Sequence, residues 1–276
     1  MPIITLTTDF GEKDYFVGAV KGAIYNELES ARIVDISHGI DPFHITEASY
    51  IIKNAYKSFP KGSIHIIGID SELTPENRHI ALKLDGHYFI CANNGILSLI
   101  ASEFVPEKIV EINIHDKVIT NFPVLDIFVK VAGHLARGGT LEVIGKPVKE
   151  IRQLKELEPY TNSEQSQIIG NVLYIDNYGN VVTNISKKYF EQIGKGRKFI
   201  IKARTAKFEE IFSTYSDAIN FNTEKINRED GKKLAIFNSG GYIELAIYKS
   251  NPSTVGSASS LFGLEYRDTI TINFEN

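Results

Sequence analysis

Cysteine is nearly absent from this chain of 276 residues, which contains only Cys91. A single cysteine excludes an intramolecular disulfide and any zinc or iron–sulfur site that is built from several thiolates. Because disulfides belong to oxidising compartments, a cytoplasmic location is the natural expectation. No apolar run approaches the roughly 20 residues that span a bilayer, and the first nine residues lack the basic segment of a signal peptide. We therefore expect no membrane partner.

An excess of positive charge is also missing. The 30 Lys and Arg residues are outnumbered by 34 Asp and Glu residues, which gives a net charge of -4. Nucleic-acid binders usually carry a basic excess or a basic stripe, so we expect no nucleic-acid partner. Hydrophobic residues make up 43% of the chain and charged residues 23%, which is ordinary for a globular protein that buries its own core.

The common catalytic signatures are absent as well. The sequence has no G-x-G-x-x-G after its first strand-like segment, no P-loop, no G-x-S-x-G and no H-E-x-x-H. Its seven histidines are scattered without the spacing of metal ligands, so no metal site is predicted. His134 has apolar neighbours in a helix-like segment, and for it we expect a packing role.

The first half of the sequence alternates strand-like and helix-like segments. The pattern predicts strands at 3–7, 32–36, 63–70 and 108–112, and helices at 15–28, 45–59 and 126–137. Asp85-Gly86 between two apolar runs predicts a β-hairpin, and Asp14 stands where the N-cap of the first helix is expected. Residues 1–150 are therefore predicted to form a mostly parallel α/β sandwich domain with a local antiparallel addition.

The pattern changes near residue 150. Residues 151–167 are polar, include Pro159 and show no sustained periodicity, which predicts a linker. From 168 to 276, short β-rich runs are separated by Gly, Asn and Ser. This part of the chain is predicted to form a smaller antiparallel β-domain, either a barrel or a sandwich.

Four aspartates stand at the ends of strand-like segments: Asp9, Asp35, Asp70 and Asp176. Any one of them could simply cap a helix or a turn. In an open α/β sheet, however, ligands bind beyond the carboxyl ends of the strands. The four together favour a site for a polar ligand.

Several motifs, in order along the chain, resemble one family. Thr8-Asp9-Phe10-Gly11, followed by Asp14-x-x-Val17-Gly18, is similar to the opening of the S-adenosylmethionine (SAM) hydroxide adenosyltransferases, whose superfamily includes the SAM-dependent fluorinases and chlorinases. Further matches are D-I-S-H at 35–38, A-N-N-G at 92–95, D-N-Y-G-N at 176–180 and N-S-x-G-Y at 238–242. The resemblance implies an N-terminal α/β domain and a C-terminal β-barrel. It also implies a homotrimer that binds SAM between one subunit's N-domain and its neighbour's C-domain.

The implied reaction displaces methionine from C5′ of the ribose by water, hydroxide or halide. The leaving group is a neutral thioether departing from a sulfonium, so neither a general acid nor a cofactor is required, and SAM is the substrate. The protein has to orient SAM, exclude bulk water and hold one small nucleophile in line.

The resemblance also implies roles for individual residues. Asp9 accepts both ribose hydroxyls, and Asp14 and Asp176 contact the amino-acid end of SAM. Asn180 binds the adenine edge beside Tyr178, Ser239 binds the methionine carboxylate, and Phe122 belongs to the same substrate-binding set. The alternative for Asp14 is a helix N-cap, and for Asn180 and Ser239 it is an ordinary turn residue.

The sequence departs from the family at the hydrolytic residues, which are an Asp, an Arg and a His. Asp70 is retained. Asn77 occupies the position of the first Arg, and only the second Arg position is filled, by Arg78. Pro123 occupies the His position, and Val124 follows it. Because Val124 cannot donate a hydrogen bond to a halide, a halogenase is disfavoured.

Three accounts of this site remain open. In the first, the enzyme still uses water, with a rearranged set of Asp70, Glu72 and Arg78. An extended segment would place the two carboxylates on one face, and Arg78 would keep Asp70 ionised and hold the nucleophile. In the second, the protein binds SAM or adenosine without turnover, as a sensor or carrier. In the third, Glu72, Glu76 and Arg78 form a solvated loop. Since hydrolysis asks mainly for orientation of SAM and water, we favour the enzyme.

Overall fold

The computed structural model describes residues 2–101, 105–114, 118–222 and 229–275. The chain divides into two compact units, Met1–Glu156 and Leu157–Asn276. The segment predicted as a linker is shared between them. On the first side of the boundary, Leu154 N donates to Ser98 Oγ over 3.0 Å; on the second side, residues 160–161 pair with a strand of the second unit.

The first unit contains a seven-stranded sheet. Its strands are β1 (Ile3–Thr8), β2 (Arg32–Ser37), β3 (Ile64–Gly68), β4 (His79–Leu84), β5 (His87–Ala92), β6 (Lys108–Ile112) and β7 (Gly145–Pro147). The order in the sheet is β2-β1-β3-β5-β4-β6-β7. The neighbours β2, β1, β3 and β5 are parallel, whereas β4 and β7 run against their neighbours. The predicted α/β domain with an antiparallel addition is confirmed.

The β4–β5 hairpin forms where the sequence predicts it. Asp85 and Gly86 both have positive φ angles, of 48° and 75°. Two successive left-handed residues make the turn whose twist matches that of the flanking strands, and Asp-Gly is a preferred pair for it. A purely local signal is sufficient here.

In the part of this unit that the structure describes, five α-helices accompany the sheet. They are α1 (Phe16–Glu27), α2 (Ile45–Ala55), α3 (Ile96–Ile100), α4 (Val129–Ala136) and α5 (Leu141–Ile144). A π-helical turn at Val124–Phe128 leads directly into α4, so helical backbone begins two residues before the predicted start at 126. The prediction that Asp14 caps α1 is wrong. Tyr15 is already helical and accepts the first helical hydrogen bond, from Ala19 N over 2.9 Å, and no side chain caps this end.

The sheet is buried on both faces, as the Ile-rich sequence of β3 predicts. Ile64 and Ile66 pack in a core with α1 and α4. Ile67 and Ile69 belong to a second core, which α2 and α3 cover. Because successive side chains of a strand point to opposite faces, one apolar run supplies both cores.

The second unit is antiparallel. Its strands are β8 (Tyr160–Thr161), β9 (Gln167–Ile175), β10 (Val181–Ser186), β11 (Phe199–Ala203), β12 (Ala206–Phe208), β13 (Lys233–Phe237), β14 (Tyr242–Ile247) and β15 (Thr269–Phe274). The order is β12-β11-β15-β9-β10-β14-β13, with β8 beside β9. The two end strands approach each other, since Lys233 Nζ lies 5.6 Å from the centre of the Phe208 ring. The sheet is therefore a nearly closed barrel, which confirms the fold implied by the resemblance.

Two helices of the second unit were not predicted from the sequence. They are α6 (Lys187–Gly194) and α7 (Ala258–Phe262). Each begins after a serine whose hydroxyl accepts a backbone N–H in the first turn, Ser186 for α6 and Ser257 for α7. These two N-cap serines are the sequence signal for the helices. They were overlooked because the surrounding runs are β-rich. In the ranges that the structure describes, no helix is long and apolar enough to cross a membrane.

Candidate active site

Asp9 and Asp70 lie side by side beyond the carboxyl ends of β1 and β3. The parallel register pairs Thr8 of β1 with Gly68 of β3, so the residues that follow both strands leave the sheet together. Gly68 permits close packing here, because a Cβ atom on it would lie 3.0 Å from Val124 Cγ2 and 3.1 Å from Thr8 Cγ2. The prediction of polar groups gathered beyond the carboxyl ends of the strands fits this arrangement.

The Asp9 carboxylate is held by the backbone. It accepts hydrogen bonds from Phe43 N, over 2.9 Å, and from the backbone N–H of Asp70. Burial raises the pKa of Asp9, the negative charge of Asp70 raises it further, and the backbone N–H groups offset this only in part. The net shift is upward from the ordinary value. Phe43, which the sequence did not single out, has a φ of 64° and is 71% exposed.

His38 braces the turn that carries Asp9. Its Nδ1 and the Thr8 hydroxyl share a hydrogen bond of 2.7 Å, and its carbonyl accepts one from Gly11 N over 2.8 Å. On the other side of the ring, Nε2 lies 3.1 Å from Asp35 Oδ1. Asp35 in turn pairs with Lys21 over 2.5 Å. Burial opposes ionisation of Asp35, but the bonds from Lys21 and His38 prevail and lower its pKa. Asp35 thus acts as a support for His38.

Three phenylalanine rings pack beside this turn. Phe10, Phe16 and Phe122 have ring centres 5.5 to 5.8 Å apart. Phe122 is only half-buried, so an apolar ring surface lies next to the residue that follows Asp9. Asp14 is exposed and lies in the short segment between this turn and α1.

The loop after β3 is fixed by buried amides. Asn77 is 7% exposed, and its Nδ2 donates to the carbonyls of Asp70, over 2.8 Å, and Glu72, over 3.2 Å. Asn94 Nδ2 donates to the carbonyl of Ile69 over 2.9 Å. The expectation that 70–72 is extended is wrong, because Asp70 has a φ of 43°. Aspartate tolerates this left-handed conformation, but the argument for a shared face with Glu72 requires a strand-like backbone.

Arg78 has different surroundings from those expected. Among the described residues it makes no ion pair with Asp70 or Glu72. Its exposed side chain lines a cleft of about 370 Å³, together with Leu73, Glu111, Ile112, Asn113, Lys146, Pro147 and Val148. The structure therefore gives no support to Arg78 as the group that keeps Asp70 ionised. Pro123 is buried and precedes the π-helical turn.

In the second unit, Asp176 organises the turn that follows β9. Its Oδ1 accepts Tyr178 N over 2.9 Å and Asn180 N over 2.8 Å, and its Oδ2 accepts Asn180 Nδ2 over 3.0 Å. Gly179 is required at the turn, because its φ is 73° and a Cβ atom would lie 2.2 Å from Ser257 Oγ. Asn180 is buried, and both its backbone N–H and its side-chain amide bond to Asp176 within the turn. The sequence left open the alternative that Asn180 is a turn residue, and it does have that role here. Tyr178 is 66% exposed.

Asn238 organises a second turn, between β13 and β14. Its Oδ1 accepts Gly240 N over 3.0 Å and Tyr242 N over 3.1 Å. Gly241 supplies the positive φ of 77° that the turn needs. Ser239 is exposed within this turn, where its hydroxyl and backbone are open to a ligand.

One cluster in the first unit has side chains typical of a metal site. The ligand atoms of Asp41, His44 and Glu47 lie within 4.8 Å of one another. They stand at the start of α2, where Glu47 Oε2 accepts Asp41 N over 3.1 Å and contacts His44 Nδ1 over 3.0 Å. These contacts are those of side chains that satisfy the N-terminus of a helix, and they explain why the three residues lie together.

Both units match known family models. Residues 4–145 match the SAM hydroxide adenosyltransferase N-terminal domain, and residues 170–271 match the C-terminal domain. The chain is 29% identical to the (R)-S-adenosyl-L-methionine hydrolase of Methanocaldococcus jannaschii, in an alignment covering 99% of this chain and 96% of the relative. It is 24% identical to the fluorinase of Actinopolyspora mzabensis, over 89% of this chain and 90% of that one.

A solved structure shares the architecture. The crystal structure of an uncharacterized conserved protein from Thermotoga maritima aligns with a TM-score of 0.84 and 27% identity, covering 98% of this chain and 100% of the other. The family models together account for most of the chain, and each matches the unit whose fold the motifs implied. This chain belongs to the SAM hydroxide adenosyltransferase family.

Proposed function

We propose that this protein cleaves the C5′–S bond of SAM with water, giving adenosine and L-methionine. The observation that carries the proposal is the pair of neighbouring carboxylates, Asp9 and Asp70, beyond the carboxyl ends of β1 and β3. In the reaction, the water oxygen bonds to C5′ while the C5′–S electron pair goes to sulfur. Methionine leaves as a neutral thioether, and the proton of the attacking water goes to a carboxylate and then to solvent.

Asp9 is proposed to bind the ribose. Its Oδ2 already accepts Phe43 N, which aims the carboxylate, and a carboxylate retains further lone pairs for the two hydroxyls. Binding requires the ionised form, so the raised pKa of Asp9 makes ribose binding weaken on acidification sooner than an ordinary aspartate would allow. The ring surface of Phe122 is proposed to contact SAM beside it.

Asp70 is proposed to orient the attacking water. The amides of Asn77 and Asn94 hold the backbone on both sides of it, and a catalytic group has to be held within a fraction of an ångström to be effective. With Pro123 in the histidine position, this carboxylate is the best-supported base. On sequence grounds, Glu72 remains a second candidate carboxylate, and Arg78 remains a candidate for holding the water by donating hydrogen bonds to it.

The second unit is proposed to hold the amino-acid and adenine groups. Asp176 is aimed by its own turn and is suited to the methionine ammonium, together with Asp14. Ser239 is suited to the methionine carboxylate. Asn180 and Tyr178 are proposed for the adenine. Since Asn180 Nδ2 is bonded to Asp176, the amide oxygen is the atom we propose for the adenine amino group.

We also propose a homotrimer in the cytoplasm, in which a ligand site takes its residues from two neighbouring copies. The support is the resemblance of the motifs along the whole chain and the single buried cysteine, Cys91. No nucleic acid, metal or cofactor is part of the proposal.

A second candidate function is binding of SAM or adenosine without turnover. The observation that favours it is the use of Asn77, at the first Arg position, as a buried clamp for its own loop. Pro123 cannot donate or accept a proton. In this case the recognition residues act alone and the protein is a sensor or carrier.

Incubation with SAM separates these functions. Each sulfonium epimer is supplied with and without chloride, and adenosine, 5′-chloro-5′-deoxyadenosine and methionine are separated by chromatography. Equal amounts of adenosine and methionine support hydrolysis. Binding by calorimetry without product supports the sensor, chlorinated product supports a halogenase, and absence of both binding and product contradicts the proposal. The (R)-epimer is included because the relatives named SAM hydrolase are named for it.

A further inference from the structure

Glu244 is a buried carboxyl group for which the proposed reaction has no use. It lies in β14 and is 4% exposed. Among the described residues it pairs with no lysine, arginine or histidine. Its carboxylate instead accepts hydrogen bonds from the Tyr215 hydroxyl and from the side-chain amide of Asn238.

Burying this carboxyl group opposes folding. Burial raises the pKa of Glu244, and the nearby charge of Asp176 raises it too, while the bonds from Tyr215 and Asn238 lower it in part. A hydrophobic side chain would fill this position of the barrel without that penalty. An apolar residue, however, could not accept the hydrogen bonds of Tyr215 and Asn238. The carboxylate of Glu244 can accept both.

The amide of Asn238 connects Glu244 to the Ser239 turn. An ionised carboxylate only accepts hydrogen bonds, so it fixes which end of the amide faces it. With Nδ2 directed to Glu244, Oδ1 faces the turn and accepts Gly240 N and Tyr242 N. An amide turned by half a revolution would bring its NH₂ group against these two N–H donors.

We propose that Glu244 is a positioning residue, which acts through Asn238 to hold the Ser239 turn in the shape that receives the methionine carboxylate. The consequence is selectivity: Glu244 tightens binding of SAM, which has that carboxylate, and leaves adenosine, which lacks it, unaffected. This inference rests on the proposed function, because it takes SAM as the ligand of the turn.

The test compares SAM with adenosine by calorimetry on the full-length protein. Glu244→Ala removes the acceptor and is expected to weaken SAM binding about tenfold, the effect of losing one hydrogen bond, while adenosine binding changes less than about twofold. Glu244→Gln keeps one acceptor oxygen and is expected to restore most of the affinity for SAM. Glu210→Ala, at an exposed position of the same unit, is the matched control and should change neither affinity.

Asn238→Ala provides a second route if Glu244→Ala does not fold. It removes the connecting amide and is expected to show the same loss of affinity confined to SAM. Where both single variants fold, the losses in Glu244→Ala/Asn238→Ala should not add, since both substitutions act through one contact. Equal weakening of both ligands, unchanged SAM binding or full additivity would overturn the inference alone. A wild-type protein that binds neither ligand would overturn the proposed function together with it.

Discussion

The side-chain amide of Asn77 donates to the main-chain carbonyl of Asp70 over 2.8 Å. The same nitrogen also donates to the carbonyl of Glu72. Asn77 occupies the family's first Arg position. Here its side chain holds the backbone of the loop that carries the retained Asp70. The change from Arg to Asn replaces a charged side chain with a buried structural clamp.

Asn77→Ala is expected to lower the free energy of unfolding by about 1–3 kcal/mol, because two main-chain carbonyls lose the buried amide that donates to them. Turnover should fall as well, since Asp70 loses its support. Chemical denaturation and the product assay measure the two effects. Asn54→Ala is the matched control: its amide also donates to a carbonyl, that of Tyr50, but at an exposed position of α2. Equal losses of stability in the two variants would contradict the clamp.

Asp70→Asn is expected to reduce turnover about a hundredfold, in the lower range for a positioned acid–base group, with SAM affinity nearly unchanged. Asparagine also tolerates the left-handed backbone, so folding should be preserved. Asp85→Asn tests this point, because Asp85 has the same kind of backbone, with a φ of 48° in the β4–β5 turn. Unaltered turnover in Asp70→Asn would remove Asp70 from the mechanism.

Asp9→Ala should weaken SAM and adenosine binding alike, by about 1.5–3 kcal/mol, the range for hydrogen bonds to a charged group. Both ligands contain the ribose that Asp9 is proposed to bind, so no selectivity is expected here. Calorimetry with the two ligands measures it. A loss confined to SAM would assign Asp9 to the amino-acid end of the ligand instead.

Stability is expected to fall as the pH falls below about 6.5. His65 is buried, contacts the Thr5 hydroxyl and His87, and has a pKa lowered to about 3 by burial and then by the charge of His87. The unfolded chain binds this proton near pH 6.5 and the folded chain only near 3. Each pH unit between these values therefore removes roughly 1.4 kcal/mol.

Denaturant titrations at pH 7, 5.5 and 4.5 measure this loss. His65→Gln, which can still bond to Thr5, should flatten the dependence. His134→Gln is the control, since the His134 ring forms a hydrogen bond at an exposed position, with the carbonyl of Thr140 over 3.0 Å. An unchanged slope in His65→Gln would exclude His65 as the cause.

The assembly should have a mass close to three times 30.9 kDa by light scattering at micromolar concentration. If two copies complete each site, mixing Asp9→Ala with Asp176→Ala, each weak alone, should restore part of the binding, because a fraction of the sites receives both intact halves. A particle of 30.9 kDa would contradict the trimer.

Local signals predicted most of the fold. The strands and the Asp85-Gly86 hairpin follow from periodicity and turn residues, which need no information from distant parts of the chain. The predicted N-cap of α1, Asp14, was wrong by one residue, because Tyr15 takes the N-cap position and no side chain caps this end. The π-helical turn before α4 has the same apolar spacing as an α-helix, so the pattern could not distinguish them.

The candidate site was predictable in part, through motifs that carry a family resemblance. Asp9 and Asp70 are neighbours in the structure, as strand-end aspartates in a parallel sheet can be. The supports of the site were not predictable, since Phe43, His38 and Asn77 act through contacts with residues that are seven to 34 positions away. The left-handed backbone of Asp70 also has no signature in the sequence, because aspartate is common in both conformations.

The turn of Asp176 has a thermodynamic consequence. Three hydrogen bonds from its own turn hold this carboxylate before any ligand is present. The conformational entropy of aiming it is therefore lost when the barrel folds, and not again at each encounter with a ligand. A substitution that loosens the turn and leaves Asp176 in place should make SAM binding less favourable in entropy at a similar enthalpy. The contribution of Asp176 to the affinity for a ligand therefore depends on how well folding orders this turn.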